Sequence, residues 1–174
     1  MQRVAASWFL VLVLGIVIPR DVRAAAVHVG DGLPAMAMPD WQGVPVNLAE
    51  TRPRAMIVDF WASWCQPCRE ALPRLDAISR RYAADGLQVF AVNIDKTRIP
   101  ADAFLKQHVP TPAMTLLHDP DGVVLARYGA AGMPALYVVD QRGVVRLVES
   151  GFTADRLRSV EEVVTQLLTR SDRP

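Results

Sequence analysis

The stretch Val58-Asp59-Phe60-Trp61-Ala62-Ser63-Trp64-Cys65-Gln66-Pro67-Cys68-Arg69-Glu70 holds both cysteines of the chain and lies where a buried strand should turn into a helix. Ala55 to Ala62 is a nearly continuous apolar run, as suits a central strand covered on both faces. Only Asp59 breaks it. Beyond the cysteines, Ala71, Leu75, Ile78 and Tyr82 fall at i, i+4, i+7 and i+11 and predict a helix, with Pro73 inside it as a kink. Asp85-Gly86 should end that helix, and Gln88–Ile94 reads as the next buried strand. Strand, helix and strand in about forty residues make a βαβ unit with parallel strands and a right-handed crossover. The cysteines then lie at the C-terminal edge of the sheet, where α/β proteins carry out their chemistry.

Two thiols two residues apart at a helix start can open and close a disulfide with little backbone movement. A thiol attacks as its thiolate, which the free N–H groups and dipole of a helix N-terminus stabilise. Cys65, on the loop side, is the candidate nucleophile, and Cys68, one turn in, the buried resolving thiol. Pro67 lacks an N–H and suits the first helical turn. Half of a zinc site is the first alternative, but zinc usually takes four ligands, while His28, His108 and His118 are scattered without ligand spacing. A static disulfide is the second, and so short a loop confers little chain-entropy stabilisation. The residues themselves therefore favour redox use of the pair, with no metal and no cofactor.

Length bounds the chain at one ordinary domain plus a leader: 174 residues suffice for a proper core. The formal net charge is +1, with 19 basic and 18 acidic residues interspersed, which argues against a nucleic-acid footprint. Arg3, the apolar run Val4–Ile18, Pro19 and the small residues Ala24, Ala25 and Ala26 follow the layout of a secretory signal. As a helix that run would be about 22 Å long at ~1.5 Å per residue, short of the ~30 Å hydrocarbon core. Residues 1–26 are read as signal peptide, cleaved after Ala24 or Ala26, in preference to a retained membrane anchor; residues 27–174 are the domain. Having no cysteine, the leader excludes a lipoprotein anchor. Either way the domain faces the far side of a membrane, the periplasm or cell exterior in a bacterium.

Short apolar pieces at Ala35–Met38 and Val44–Leu48, around Pro39-Asp40-Trp41-Gln42-Gly43, predict an entry hairpin that extends and covers the sheet. Pro100 is placed to open a helix with Ala101, Phe104, Leu105 and His108 on one face. Ala113–His118 is expected as a strand, with His118 next to Asp119 a plain turn residue, and Val123–Tyr128 as a short helix. Ala135–Asp140, the turn Gln141-Arg142-Gly143 and Val144–Ser150 predict an antiparallel hairpin. Thr153 can cap a final helix whose stripe is Leu157, Val160, Val164 and Leu167.

The quoted stretch, with Pro73 five residues after the second cysteine, resembles the active stretch of the thioredoxin superfamily. Gly132-Met133-Pro134 before an apolar strand ending in Val138-Val139-Asp140 resembles that family's cis-proline loop. The leader, the entry segment and the extra helix and strand over about 96–121 make the chain similar to the exported TlpA/ResA branch, which includes the cytochrome c biogenesis thioredoxins. The resemblance implies an α/β, thioredoxin-like three-layer fold: a central mixed β-sheet flanked by helices, with an N-terminal strand extension and a central αβ insertion. It also implies a cis peptide bond before Pro134, leaving the Met133 backbone to pair with an extended substrate, and an apolar docking rim of Trp64 and Met133. Asp59, six residues before Cys65, corresponds to thioredoxin's buried acid, which would relay the proton of Cys68. Two positions depart from the pattern: Ala71 stands where this branch commonly has glutamate, and Ala91 appears where thioredoxin has a buried lysine.

The function so implied is a periplasmic thiol–disulfide oxidoreductase, a monomer reducing disulfides of exported proteins such as apocytochrome c or copper-site proteins. Its electrons would come from a membrane thiol donor of DsbD/CcdA type. The rivals are a disulfide-forming oxidant, a copper metallochaperone using the same cysteines, and, further off, a peroxidase.

Overall fold

A computed structural model describes residues 26–35 and 37–170. Apart from Ala26, the leader lies outside the described residues.

The chain runs β1 (Ala37–Pro39), β2 (Pro45–Asn47), β3 (Ala55–Trp61), α1 (Cys68–Tyr82), β4 (Leu87–Asn93), α2 (Arg98–His108), β5 (Thr115–His118), α3 (Val123–Tyr128), β6 (Ala135–Asp140), β7 (Val145–Ser150) and α4 (Ala154–Arg170). The main sheet has the order β5-β4-β3-β6-β7. Its β3–β4 and β4–β5 pairs are parallel, while β3–β6 and β6–β7 are antiparallel. The parallel pairing is that of the expected βαβ unit and the β6–β7 pairing that of the expected hairpin; together they form the mixed sheet that the resemblance implied.

The apolar run of β3 is buried at every position because the sheet is covered on both faces. Its side chains alternate between two cores, as a period of two requires. Ala55, Ile57 and Trp61 join Leu72 and Leu75 of α1 and Val160 and Val164 of α4. Met56, Val58 and Phe60 join Val124 and Tyr128 of α3 and Val27, Met38 and Leu48 of the entry segment. Each such aliphatic or aromatic side chain contributes roughly 1.5–3 kcal/mol by leaving water. Layers of helices, sheet, and entry segment with α3 thus make a thioredoxin-like α/β fold.

The entry hairpin is real: β1 pairs antiparallel with β2, and Trp41 N–H bonds to Leu116 O at 3.1 Å, fastening it to edge strand β5. The αβ insertion is α2 with β5. Pro73 lies inside α1, and Thr153 Oγ1 accepts from Arg156 N–H at the start of α4.

Several boundaries differ. Arg98, not Pro100, opens α2; Pro100 is its third residue, where no intrahelical N–H bond is lost. Pro67 is the N-cap of α1 rather than within its first turn. Strand β5 begins at Thr115, two residues after the expected start. His118 is not a plain turn residue: it ends β5, and its Nε2 lies 2.8 Å from Asp95 O. On α4 the third fully buried stripe residue is Leu168, with Leu157 and Leu167 partly buried beside it.

Candidate active site

The C-terminal ends of β3 and β4 and the N-terminus of α1 meet at the two cysteines. After β3, Cys65 N–H closes back on Ala62 O at 3.1 Å, making a turn. A second turn, from Cys68 N–H to Cys65 O at 3.2 Å, leads into α1. Cys65 and Cys68 are joined by a disulfide, with an S–S distance of 1.99 Å and a Cα–Cα separation of 5.3 Å. Cys65 is 4% exposed and Cys68 is 0% exposed, so the order of access is the one the sequence suggested. On reduction, a thiolate at this place sits at the positive end of the α1 dipole, whose first N–H groups are themselves bonded to Cys65 O, Gln66 O and Pro67 O.

Around the pair, Trp64 is 65% exposed and therefore not a core residue. Met133 is partly buried between the two cores and precedes Pro134 through a cis peptide bond. Pro134 O accepts from Gly151 N–H at 2.8 Å, tying this loop to the end of β7.

Asp59 points from β3 into the α1/α4 core, at 1% exposure. Its register partners are Ala91 on β4 and Leu136 on β6, so no lysine stands opposite it. Neither carboxyl oxygen has a hydrogen-bond partner among the described residues. Burial without compensation holds its pKa well above the ordinary carboxylate range. A cavity of about 20 Å³ adjoins it, lined also by Ala71, Leu75, Pro134, Glu149 and Arg156. That is room for about one water molecule.

Residue-by-residue reading missed a second buried carboxyl at the same edge, Asp95, just beyond β4. It is bonded to both Ser63 N–H and Ser63 Oγ, two residues before Cys65. The signal was present: Asn93-Ile94-Asp95 puts two polar residues at the C-terminal end of a buried parallel strand, beside the cysteines.

Comparison with known proteins agrees with this geometry. The model of the AhpC/TSA family matches residues 29–148. Thiol-disulfide oxidoreductase ResA of Bacillus subtilis (strain 168) is 25% identical over 144 residues, covering 82% of this chain and 79% of that protein. ResA of Bacillus thuringiensis subsp. konkukian is 23% identical over 140 residues, 80% of each chain. Among solved structures, a chain described as thiol:disulfide interchange protein DsbE of Chlorobium tepidum superposes with a TM-score of 0.76 at 34% identity, covering 82% of this chain and 99% of its own. StoA of Bacillus subtilis superposes with a TM-score of 0.59 at 21% identity, covering 73% of this chain and 96% of its own, a likeness of fold alone. Family match, shared fold and a cysteine pair joined at the start of α1 lead to one conclusion: this chain belongs to the AhpC/TSA family, as a thioredoxin-like thiol–disulfide oxidoreductase.

Proposed function

We propose that this protein is an exported reductase of protein disulfides, working in the periplasm with Cys65 as the attacking thiol. The observation that carries the reading is the Cys65–Cys68 disulfide at the α1 N-terminus, with Cys65 the more accessible of the two. In the reduced protein the Cys65 thiolate attacks one sulfur of a substrate disulfide. A Cys65–substrate bond forms, the substrate S–S bond breaks, and the departing sulfur takes a proton. Cys68 then gives up its proton and attacks Cys65 Sγ; the second substrate sulfur leaves as a thiol, and two electrons have passed to the substrate.

Asp59 is the proposed acceptor of the Cys68 proton, supported by its place on the face of β3 under α1 and by burial that raises its pKa well above the ordinary carboxylate range and so strengthens it as a base. Trp64, Met133 and Pro134 are the proposed docking rim. An exposed indole beside a buried sulfur supports this reading. The leader is proposed as a cleaved signal over residues 1–26. Apocytochrome c or copper-site proteins are the proposed substrates, a membrane thiol donor of DsbD/CcdA type the proposed source of electrons, and a monomer the working form.

Two variants test the cysteine roles. Cys68→Ser should accumulate a mixed disulfide between Cys65 and a model protein disulfide, detected by mass, and Cys65→Ser should form none. Accumulation on Cys68 in the Cys65→Ser variant would reverse the roles.

A further inference from the structure

Asp95 is 4% exposed and carries three hydrogen bonds on its side chain. Ser63 N–H reaches Oδ2 at 2.9 Å, Asn93 Nδ2 reaches the same oxygen at 2.7 Å, and Ser63 Oγ reaches Oδ1 at 2.8 Å. Asn93 Oδ1 accepts in return from Asp95 N–H at 3.1 Å, which fixes the amide's orientation. Both nitrogen donors converge on Oδ2 and the Ser63 hydroxyl meets Oδ1, a donor set that an acceptor-only carboxylate satisfies at both oxygens. Among the described residues no cationic side chain is paired with it. The Asp95 carbonyl lies 2.8 Å from His118 Nε2, which anchors the segment to β5. Ser63 is thus held at both its N–H and its hydroxyl, and the turn from Ala62 to Cys65 is pinned to the end of β4.

We propose that Asp95 is a positioning residue for the dithiol: it clamps the turn that presents Cys65 and, through its buried charge, opposes the Cys65 thiolate and biases the couple toward reduction of substrate. This rests on Cys65 being the attacking thiol. The α1 N-terminus favours the thiolate, and a stabilised thiolate makes the reduced form persist and the protein an oxidant. A carboxylate bonded to Ser63, two residues before Cys65, and shielded from water works against that. Arg69 and Glu70 on α1 and Lys96 beside Asp95 are exposed and screened; Asp59 on β3, His118 at the end of β5 and the buried Asp119 after it are the other titratable groups of this edge.

The test compares the full chain as wild type, D95N, S63A and C68S. In D95N the introduced amide can still accept from Ser63 N–H and donate to Ser63 Oγ, so the clamp survives without its charge. Equilibration with glutathione should shift about tenfold toward the dithiol, about 30 mV upward, and the pH midpoint of Cys65 alkylation should fall. S63A keeps the charge and removes one donor that neutralises it, so its equilibrium should stay or move toward the disulfide. A merely structural role would move both variants the same way, and that result overturns the proposal, as does D95N leaving both readouts in place. Should D95N not fold, S63A decides alone: movement toward the dithiol overturns. The reading of Cys65 is judged separately, by whether C68S traps a mixed disulfide on it.

Discussion

Asp59 and Asp95 are both buried carboxyls near one disulfide, yet their surroundings differ in kind. Asp95 has three donors; Asp59 has none among the described residues. A group whose folded pKa is raised contributes its stability fully below its unfolded pKa, about 3.9 for aspartate, and loses it as pH climbs through the folded value. The stability of the oxidised protein should therefore fall as pH rises from about 4 through the raised folded value. Asp59→Asn should flatten that slope, as measured by denaturant unfolding across the range; an unchanged slope would mean that Asp59 ionises freely in the fold. The same substitution should slow release of reduced substrate from the mixed disulfide while leaving its formation on Cys65 nearly untouched, a split read by quenched-flow trapping. From sequence, Asp59 could be found because it interrupts an apolar run. The sequence marks Asp95 only as a polar residue at the end of a buried strand; its bonds to Ser63 were not legible, because they join residues 32 positions apart and depend on the turn after β3 folding back onto the end of β4.

At the scale of elements, periodicity located β3, α1, β4, α3, β6 and α4 because each buries a regular set of side chains, and such sets are written in the local sequence. Boundaries were legible to within one or two residues. They slipped where caps decide, as at Thr97 before α2 and Pro67 before α1, since neither side chain makes the capping bond that would mark the start. Leu75 of α1 is 1% exposed in the core shared by the sheet, α1 and α4. Leu75→Ala should cost about 2–5 kcal/mol in unfolding free energy. Gly129 caps α3 with φ +65°, and a Cβ there would meet Ala26 Cα at 2.5 Å. Gly129→Ala should therefore destabilise by about 1 kcal/mol or more, whereas Gly32→Ala, where a Cβ meets open space, should stay within about 0.5 kcal/mol. Equal melting temperatures for the two would show that the segment at Ala26 yields without cost.

For the whole molecule, the strand order β5-β4-β3-β6-β7 puts the dithiol, Asp59, Asp95 and the cis-proline loop at or beneath one edge of the sheet. The βαβ unit and the hairpin were each recognisable locally, whereas their joining into one mixed sheet came from the resemblance. The attachment of the entry hairpin to β5 through Trp41 and Leu116 was not, since backbone pairing between distant segments leaves no local pattern. As a monomer, the chain should sediment as a single species of 19.2 kDa, or of lower mass if the leader is removed; a concentration-dependent dimer would contradict that. Whether the dithiol runs as a reductase, as proposed, is tested most directly by the reduction potential of the Cys65–Cys68 couple, measured on the full chain by equilibration with glutathione or dithiothreitol. A value of about −250 mV or lower, on the thioredoxin side of the scale, is the predicted result. A value of about −120 mV would place the protein among the oxidants and contradict the account.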